Sequence, residues 1–325
     1  MLQFKNDKLL SAVKKADSFL LCTHVSPDGD AIGSTLAMAF FLEDMGKKVT
    51  VACSDPVPYR MHFLPCWEMF VRPEELEGKK FDCAIAIDCA EESRMGACRF
   101  AYNKAPVRLQ IDHHGTNPLY AMENEVDGTA AAAGCIIWRF AKALDLEITK
   151  DHAACLYTAI SSDTGNFCFE NTGSECFECI ADLIDHGLSI NEVARPLHLI
   201  REVPHVRLLA KALDSLKLCG DGKIAGMKLQ KKDYLDCDAA HEHSDKIVNY
   251  AMDLEGVVLA YMADDTMRGG TKFSLRAQPP YNVAKIAQKF GGGGHVLAAG
   301  CTMDAPMDEA IELIENAMLE QLKNG

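Results

Sequence analysis

Three clusters in this chain place imidazoles, carboxylates or glycines at spacings that suit chemistry. The first, His24-Val-Ser-Pro-Asp28-Gly-Asp30-Ala-Ile-Gly-Ser34, packs one imidazole and two carboxylates into seven positions directly after an apolar run. Pro27 and Gly29 let such a backbone reverse tightly, and a helix starting just beyond offers free N–H groups to anions. The second cluster comprises Asp88 closing FDCAIAID, Asp112-His113-His114 closing PVRLQID, and Asp163 in SSDTGNF after a helical pattern. Any one of these aspartates also suits a turn or a helix cap. Four Asp and at least two His, with no clustered thiols, make a nitrogen and oxygen donor set. That set suits Mn²⁺, Fe²⁺, Co²⁺ or Zn²⁺; it has too much imidazole for a dedicated Ca²⁺ site and an unusual amount for Mg²⁺. So many donors suffice for two ions, and ions ~4 Å apart generate a hydroxide nucleophile and neutralise an attacked phosphoryl group.

The third cluster is Gly291-Gly-Gly-Gly-His295-Val-Leu-Ala-Ala-Gly300. Successive N–H groups of Gly291, Gly292, Gly293 and Gly294 are expected to form an anion-binding nest that runs into His295 and a short helical turn. A flexible hinge is the competing reading. Ser274 and Arg276 alternate in KFSLRA and so share one strand face. Arg276 there either grips a phosphate bidentately or sits in a surface ion pair. The single C-x-x-C, Cys176 and Cys179, has helical spacing and no second pair, which points to a structural role.

Apolar runs of strand length alternate with helical patterns through the first half, the βαβ signature of a parallel sheet. Strands are expected at SFLLCTH, KVTVACS, FDCAIAID and PVRLQID, and helices at AIGSTLAMAFFLEDMG, 129–145, 149–162 and 174–186. His24, Asp88 and Asp112 then end strands, where open α/β sheets form their ligand crevices. Residues 191–215 read as a polar linker broken by Pro196 and Pro204. Beyond it come strands at 223–230, 256–263 and 271–277 with helices near 241–253, 282–290 and 306–323, a smaller α/β domain. The division is thus 1–190, linker 191–215, and 216–325.

The bulk composition narrows the field of functions. With 325 residues, 48% hydrophobic and 25% charged, the chain is long enough for two cored domains and is neither disordered nor fibrous. A formal charge of −14 argues against a general binder of long duplex DNA, which needs many Lys and Arg to displace counterions. No run approaches a membrane span and the first residues are too charged for a signal peptide, so the expectation is a cytoplasmic protein without a membrane partner. Fourteen cysteines lying mostly in apolar runs fit buried reduced thiols.

In family order and at matching spacings, these motifs resemble the DHH phosphoesterases with a C-terminal DHH-associated domain. His24 to Ser34 is similar to the first family motif, Asp88 to the second, Asp112-His113-His114 to the naming motif, Asp163 to the fourth, and GGGGHVLAAG to the signature of the C-terminal domain. Within the family the chain looks most like the bifunctional oligoribonuclease and 3′-phosphoadenosine 5′-phosphate (pAp) phosphatase group. The resemblance implies an N-terminal parallel-sheet catalytic domain, a smaller α/β substrate domain and an active site in the cleft between them. It implies two divalent ions, Mn²⁺ foremost: His24, Asp28 and Asp88 hold one, and Asp30, Asp88, His113 and Asp163 the other. His114 then faces the scissile phosphate, Asp88 bridges, and Asp112 orients the site. Ser274, Arg276, Gly292, Gly293, Gly294 and His295 bind the terminal phosphate and base, and Arg94 faces the substrate. The implied substrates are short oligoribonucleotides, dinucleotides and pAp, with room left for a homodimer. Alternatives keep the metals and change the substrate, to linear or cyclic dinucleotides such as pApA and cyclic di-AMP. A RecJ-like exonuclease on long single strands fits less well with only 7% aromatic residues. A family II pyrophosphatase would carry a Lys- and Arg-rich C-terminal site in place of the glycine motif, and a vestigial nucleotide-binding regulator would lack ligands that are all filled here.

Overall fold

The computed structural model describes residues 3–265 and 269–324. The chain divides into two compact units between Ile200 and Arg201. In the first, six strands form one parallel sheet: β1 (Ser18–Cys22), β2 (Lys48–Ala52), β3 (Phe70–Val71), β4 (Cys83–Ile87), β5 (Val107–Asp112) and β6 (Glu123–Val126). Their spatial order is β3-β2-β1-β4-β5-β6. The direction of winding reverses between β1 and β4, the switch point at which sheets of this kind open a crevice beyond their carboxyl ends. The central strand β4, Cys-Ala-Ile-Ala-Ile, is buried along its whole length, so its continuous apolar run is what two covered faces require.

Seven helices accompany this sheet: α1 (Asp7–Lys15), α2 (Gly29–Asp44), α3 (Arg99–Lys104), α4 (Ala133–Ala143), α5 (Lys150–Asp163), α6 (Ser174–Asp185) and α7 (Ile190–Ala194). Helix α2 is buried on nearly every side. It approaches α5 at backbone distance, because a Cβ on Gly33 would lie 2.4 Å from the Cys155 carbonyl oxygen. Gly134 in α4 likewise meets Ala159 of α5, where an added Cβ would stand at 2.6 Å. This close packing brings the first turns of α2 and α4 and the last turn of α5 to the crevice. The expected helix over 129–145 starts only at Ala133, since residues 129–132 stay outside it and Ala132 is extended.

In the second unit a mixed sheet runs β11-β12-β10-β9-β8-β7, from β7 (Lys217–Cys219), β8 (Ile224–Leu229), β9 (Leu259–Asp265), β10 (Thr271–Ala277), β11 (Gly293–Gly294) and β12 (Ala298–Met303). Only β8 and β9 pair in parallel. Its helices are α8 (Val203–Asp214), α9 (Lys231–Cys237), α10 (Val248–Met252), α11 (Val283–Lys289) and α12 (Met307–Asn324). The stretch 191–215 is largely helical: Pro196 opens a π turn over Arg195–Leu199 and Pro204 opens α8, first-turn positions where a missing N–H costs little. The helix expected over 241–253 is broken into a 3₁₀ turn (His241–Ser244) and α10, because Lys246 adopts φ +61° between them. Eleven of the fourteen cysteines are buried, Cys176 and Cys179 among them on α6, and none is in a disulfide. Among the described residues no helix is long and apolar enough to cross a membrane.

Candidate metal centre

Asp88 is the first residue beyond β4 and takes φ +51°, a left-handed conformation that a non-glycine residue holds only when its surroundings impose it. It is 2% exposed, and its Oδ1 makes no hydrogen bond. Around it stand His113 Nε2 at 3.4 Å and His114 Nδ1 at 3.7 Å from Oδ1, and His24 Nε2 at 3.5 Å from Oδ2. His113 Nε2 also lies 3.1 Å from Asp163 Oδ2 and 3.7 Å from Asp30 Oδ2, while His24 Nε2 lies 3.9 Å from Asp28 Oδ1. His24 comes from the end of β1, Asp28 and Asp30 from the start of α2, His113 from beyond β5, and Asp163 from the last turn of α5. The structure therefore gathers all six residues expected to hold metal.

Four of the six are held by partners of their own. Asp28 caps α2, its Oδ1 accepting from the backbone N–H groups of Asp30 and Ala31 at 3.1 Å each, so the cap itself holds this carboxylate beside His24. Asp30 is fully buried; Ser34 Oγ donates to it at 2.6 Å, as do the first N–H groups of α4, Ala133 at 2.6 Å and Gly134 at 3.0 Å. His24 Nδ1 faces the Val25 carbonyl at 2.8 Å and His113 Nδ1 that of Ala130 at 3.4 Å, which leaves both Nε2 atoms turned toward the carboxylates.

The electrostatics show what the cluster lacks. Burial works against charging His24, yet Asp28 and Asp88 raise it to about 10. Burial likewise opposes His113, but Asp163 and Asp88 push it up to about 12. Asp30 stands well above the usual carboxylate range through burial and the repulsion of Asp88 and Asp163. Asp163 is raised by burial, whereas Asp88, against the same burial penalty, is held low by His113 and His24. Three carboxylates, Asp30, Asp88 and Asp163, and two imidazoles thus compete for protons where a cation would satisfy them all. Two bonds of ~2.1 Å meeting at one ion set their donor atoms roughly 3–3.8 Å apart, which the separations above match. Two separate donor groups, His24-Asp28-Asp88 and Asp30-His113-Asp163, each lie within 4.8 Å, and a third, Asp88-His113-His114, shares a residue with each. The residues fit divalent ions, with Asp88 turning Oδ2 to His24 of the first group and its unbonded Oδ1 to His113 of the second.

His114 stands beside this cluster with Nδ1 2.8 Å from Asp112 Oδ1, which fixes the ring and leaves Nε2 to the crevice. Asp112 is fully buried. Arg94 is exposed, with Nη2 3.2 Å from His24 Nδ1 and 3.4 Å from the Val25 carbonyl. Sequence reasoning missed Asn117, Gln110 and Tyr120, whose side chains meet at the Cys89 carbonyl (3.4, 3.1 and 2.9 Å). Their positions follow no periodicity, and only the ends of β4 and β5 bring them together.

The second unit gathers the remaining expected residues at one sheet edge. Ser274, Gly300 and Gly293 form one cross-strand row, with Arg276 and Ala298 paired in the same ladder of β10 and β12. Arg276 is held by Asn249 Oδ1 at 3.1 Å and by the Leu275 carbonyl at 3.0 Å, not by a carboxylate. The glycine run corrects an expectation. Gly291 N–H donates to Gln288 and Gly292 N–H to Ala287, the paired bonds that close the end of α11, so these two amides are spent on helix carbonyls rather than offered as a nest. Gly293 and Gly294 then pair with Gly300 and Ala299 in a hairpin whose turn carries exposed His295, in place of the expected helical turn. Glycine is needed there for close approach: a Cβ on Gly292 would stand 2.1 Å from the Gly300 carbonyl oxygen.

Comparisons with known proteins agree with this arrangement. The "DHH family, N-terminal domain" matches residues 18–160 and the "DHHA1 domain" residues 223–324. The bifunctional oligoribonuclease and PAP phosphatase NrnA of Thermus thermophilus is 33% identical over 97% of this chain and 94% of its own length. The protein of the same name from Bacillus subtilis is 26% identical over 94% and 96%. A crystal structure of an exopolyphosphatase-related protein from Bacteroides fragilis shares the fold with a TM-score of 0.92 at 24% identity, covering 98% of this chain and 96% of that one. With its motifs in place, both domains matched and full-length likeness to these relatives, the chain belongs to the DHH family of phosphoesterases, whose members act with divalent metal ions.

Proposed function

We propose that this chain is a Mn²⁺-dependent phosphoesterase that degrades short oligoribonucleotides to mononucleotides and converts pAp to AMP. The observation that carries the reading is the buried Asp88 carboxylate, with Oδ2 toward His24 and an unbonded Oδ1 toward His113, in a chain that matches an NrnA relative over 97% of its length. His24, Asp28 and Asp88 hold one ion and Asp30, Asp88, His113 and Asp163 the other; the donor set of imidazole and carboxylate favours Mn²⁺ over Ca²⁺ or Mg²⁺. When bound, two such ions acidify water and offset the charge of the attacked phosphate. The side chains do the rest. Asp112 holds the His114 ring by Nδ1, and His114 Nε2 hydrogen-bonds the phosphate and passes a proton to the departing ribose oxygen. Arg94 neutralises a non-bridging oxygen beside His24.

Residues 1–190 carry this chemistry, and 216–325 hold the substrate's end. Arg276, already stripped of much of its water and hydrogen-bonded to Asn249 and the Leu275 carbonyl, takes the terminal phosphate with Ser274, while the Gly292–Gly294 hairpin and His295 take the base. The test is a panel of pAp, pApA, cyclic di-AMP, dinucleotides to pentanucleotides, a long single strand and pyrophosphate, each with Mn²⁺. The expected products are AMP with phosphate from pAp and mononucleotides from short oligomers, with the long strand and pyrophosphate intact. Turnover of pApA or cyclic di-AMP alone replaces the substrate assignment, and turnover of pyrophosphate alone overturns it.

A further inference from the structure

We propose that Asn117 is a positioning residue for His114, acting through Asp112. Four hydrogen bonds lead to this role. The turn after the DHH motif closes when Asn117 N–H donates to the His114 carbonyl at 3.1 Å. The Asn117 side-chain Oδ1 then accepts from Leu119 N–H at 2.8 Å, and Nδ2 donates both to Asp112 Oδ2 at 2.5 Å and to the Cys89 carbonyl at 3.4 Å. Asp112 is fully buried, with Oδ1 committed to His114 and Oδ2 to Asn117. Its carboxylate plane, and with it the His114 ring, is fixed from both ends.

Asparagine is the side chain that meets these demands: one acceptor and two amide donors on a two-atom reach. Aspartate keeps the acceptor and the size but sets an anion against Asp112. Alanine leaves Asp112 Oδ2 buried without a partner, free to rotate and to release the ring. The Cys89 carbonyl is the fixed end of the brace, because Gln110 Nε2 and Tyr120 Oη also donate to it. Losing one of its three donors is therefore a small change, whereas losing the Asp112 contact is not.

The inference rests on the proposed role of His114, and the experiment separates the two. Asn117→Ala, Asn117→Asp, Tyr120→Phe, His114→Ala and the Asn117→Ala, His114→Ala double variant are prepared in the full chain and their melting temperatures recorded. Steady-state kinetics with pAp and Mn²⁺ are expected to show kcat down ~10–100-fold for Asn117→Ala with KM within ~2-fold, the usual cost of removing a partner behind a metal site. Asn117→Asp loses at least as much, and it serves as the readout if the alanine variant does not fold. Tyr120→Phe stays within about 3-fold, and the double variant is no slower than His114→Ala beyond that margin, since a residue acting through another adds nothing once it is gone. Imidazole NMR with diamagnetic Mg²⁺, which needs no substrate, should show a downfield His114 Nδ1–H signal in wild type and Tyr120→Phe that is lost in both Asn117 variants. If wild type cleaves none of the substrates, the functional reading fails while the NMR still decides on Asn117. Wild-type kcat in Asn117→Ala, multiplicative losses with His114→Ala, equal losses in Tyr120→Phe, or an unchanged NMR signal would each overturn the proposal.

Discussion

The first unit assembles its candidate site from five elements spread between His24 and Asp163; it buries His24, Asp30 and Asp88, half-buries His113 and Asp163, and leaves Asp28 exposed. The second unit draws its candidate residues from one strand and the hairpin beside it, and leaves Gly293, Gly294 and His295 exposed. Burial sharpens every charge interaction, so the metal cluster is costly to leave without cations and tightly specified by the fold around it. The hairpin needs only the right backbone geometry and one half-buried arginine, and so tolerates water. The proposed function sets the chemistry where long-range packing can hold a strained Asp88, and the grip where a local strand pair suffices.

The largest test of that contrast is Asp88→Ala, which should lower kcat on the order of 10³-fold or more, about 4 kcal/mol of barrier, for every substrate alike. Next, Arg276→Ala or His295→Ala should raise KM for pAp and dinucleotides ~10-fold, about 1.4 kcal/mol, while hydrolysis of a small generic phosphodiester stays within ~2-fold. Equal losses on both substrates would erase the distinction between chemistry and grip.

Proton linkage gives a smaller effect confined to the first unit. In chelator-treated protein His24 and His113 are raised to about 10 and about 12, above the unfolded value near 6.5. Their stabilisation is then complete below about pH 6.5 and is lost as pH rises toward and through 10. Melting curves should fall by several degrees across that range without metal, and much less with Mn²⁺ bound in place of the protons. Smallest of all, Gly292→Ala should destabilise the second unit by about 1–3 kcal/mol, seen in denaturant unfolding, and leave metal binding unaltered.

Much of the first unit is legible from residue order, because β1 and β4 are almost wholly apolar and β1, β4 and β5 each lead into or end on a polar candidate residue, His24, Asp88 and Asp112. Strand β6, Glu-Asn-Glu-Val, is not legible: it is an edge strand with one buried residue and no hydrophobic period. Nor is β3, two residues long. The six residues of the cluster could be singled out by type and position, but their supports could not. That Asp30 is met by the first amides of α4, more than a hundred residues away, depends on Gly33 and Gly134 letting α2, α4 and α5 touch. The glycine motif was recognisable as a place of close backbone approach, yet which amides remain free depended on where α11 ended.

Calorimetric titration of the metal-free full chain with Mn²⁺, beside its Asp88→Ala variant, tests the central claim most directly. A shared, buried Asp88 predicts two tight sites per chain in the wild type and the loss of both in the variant. A single site in the wild type, or two sites undisturbed by the substitution, would contradict it.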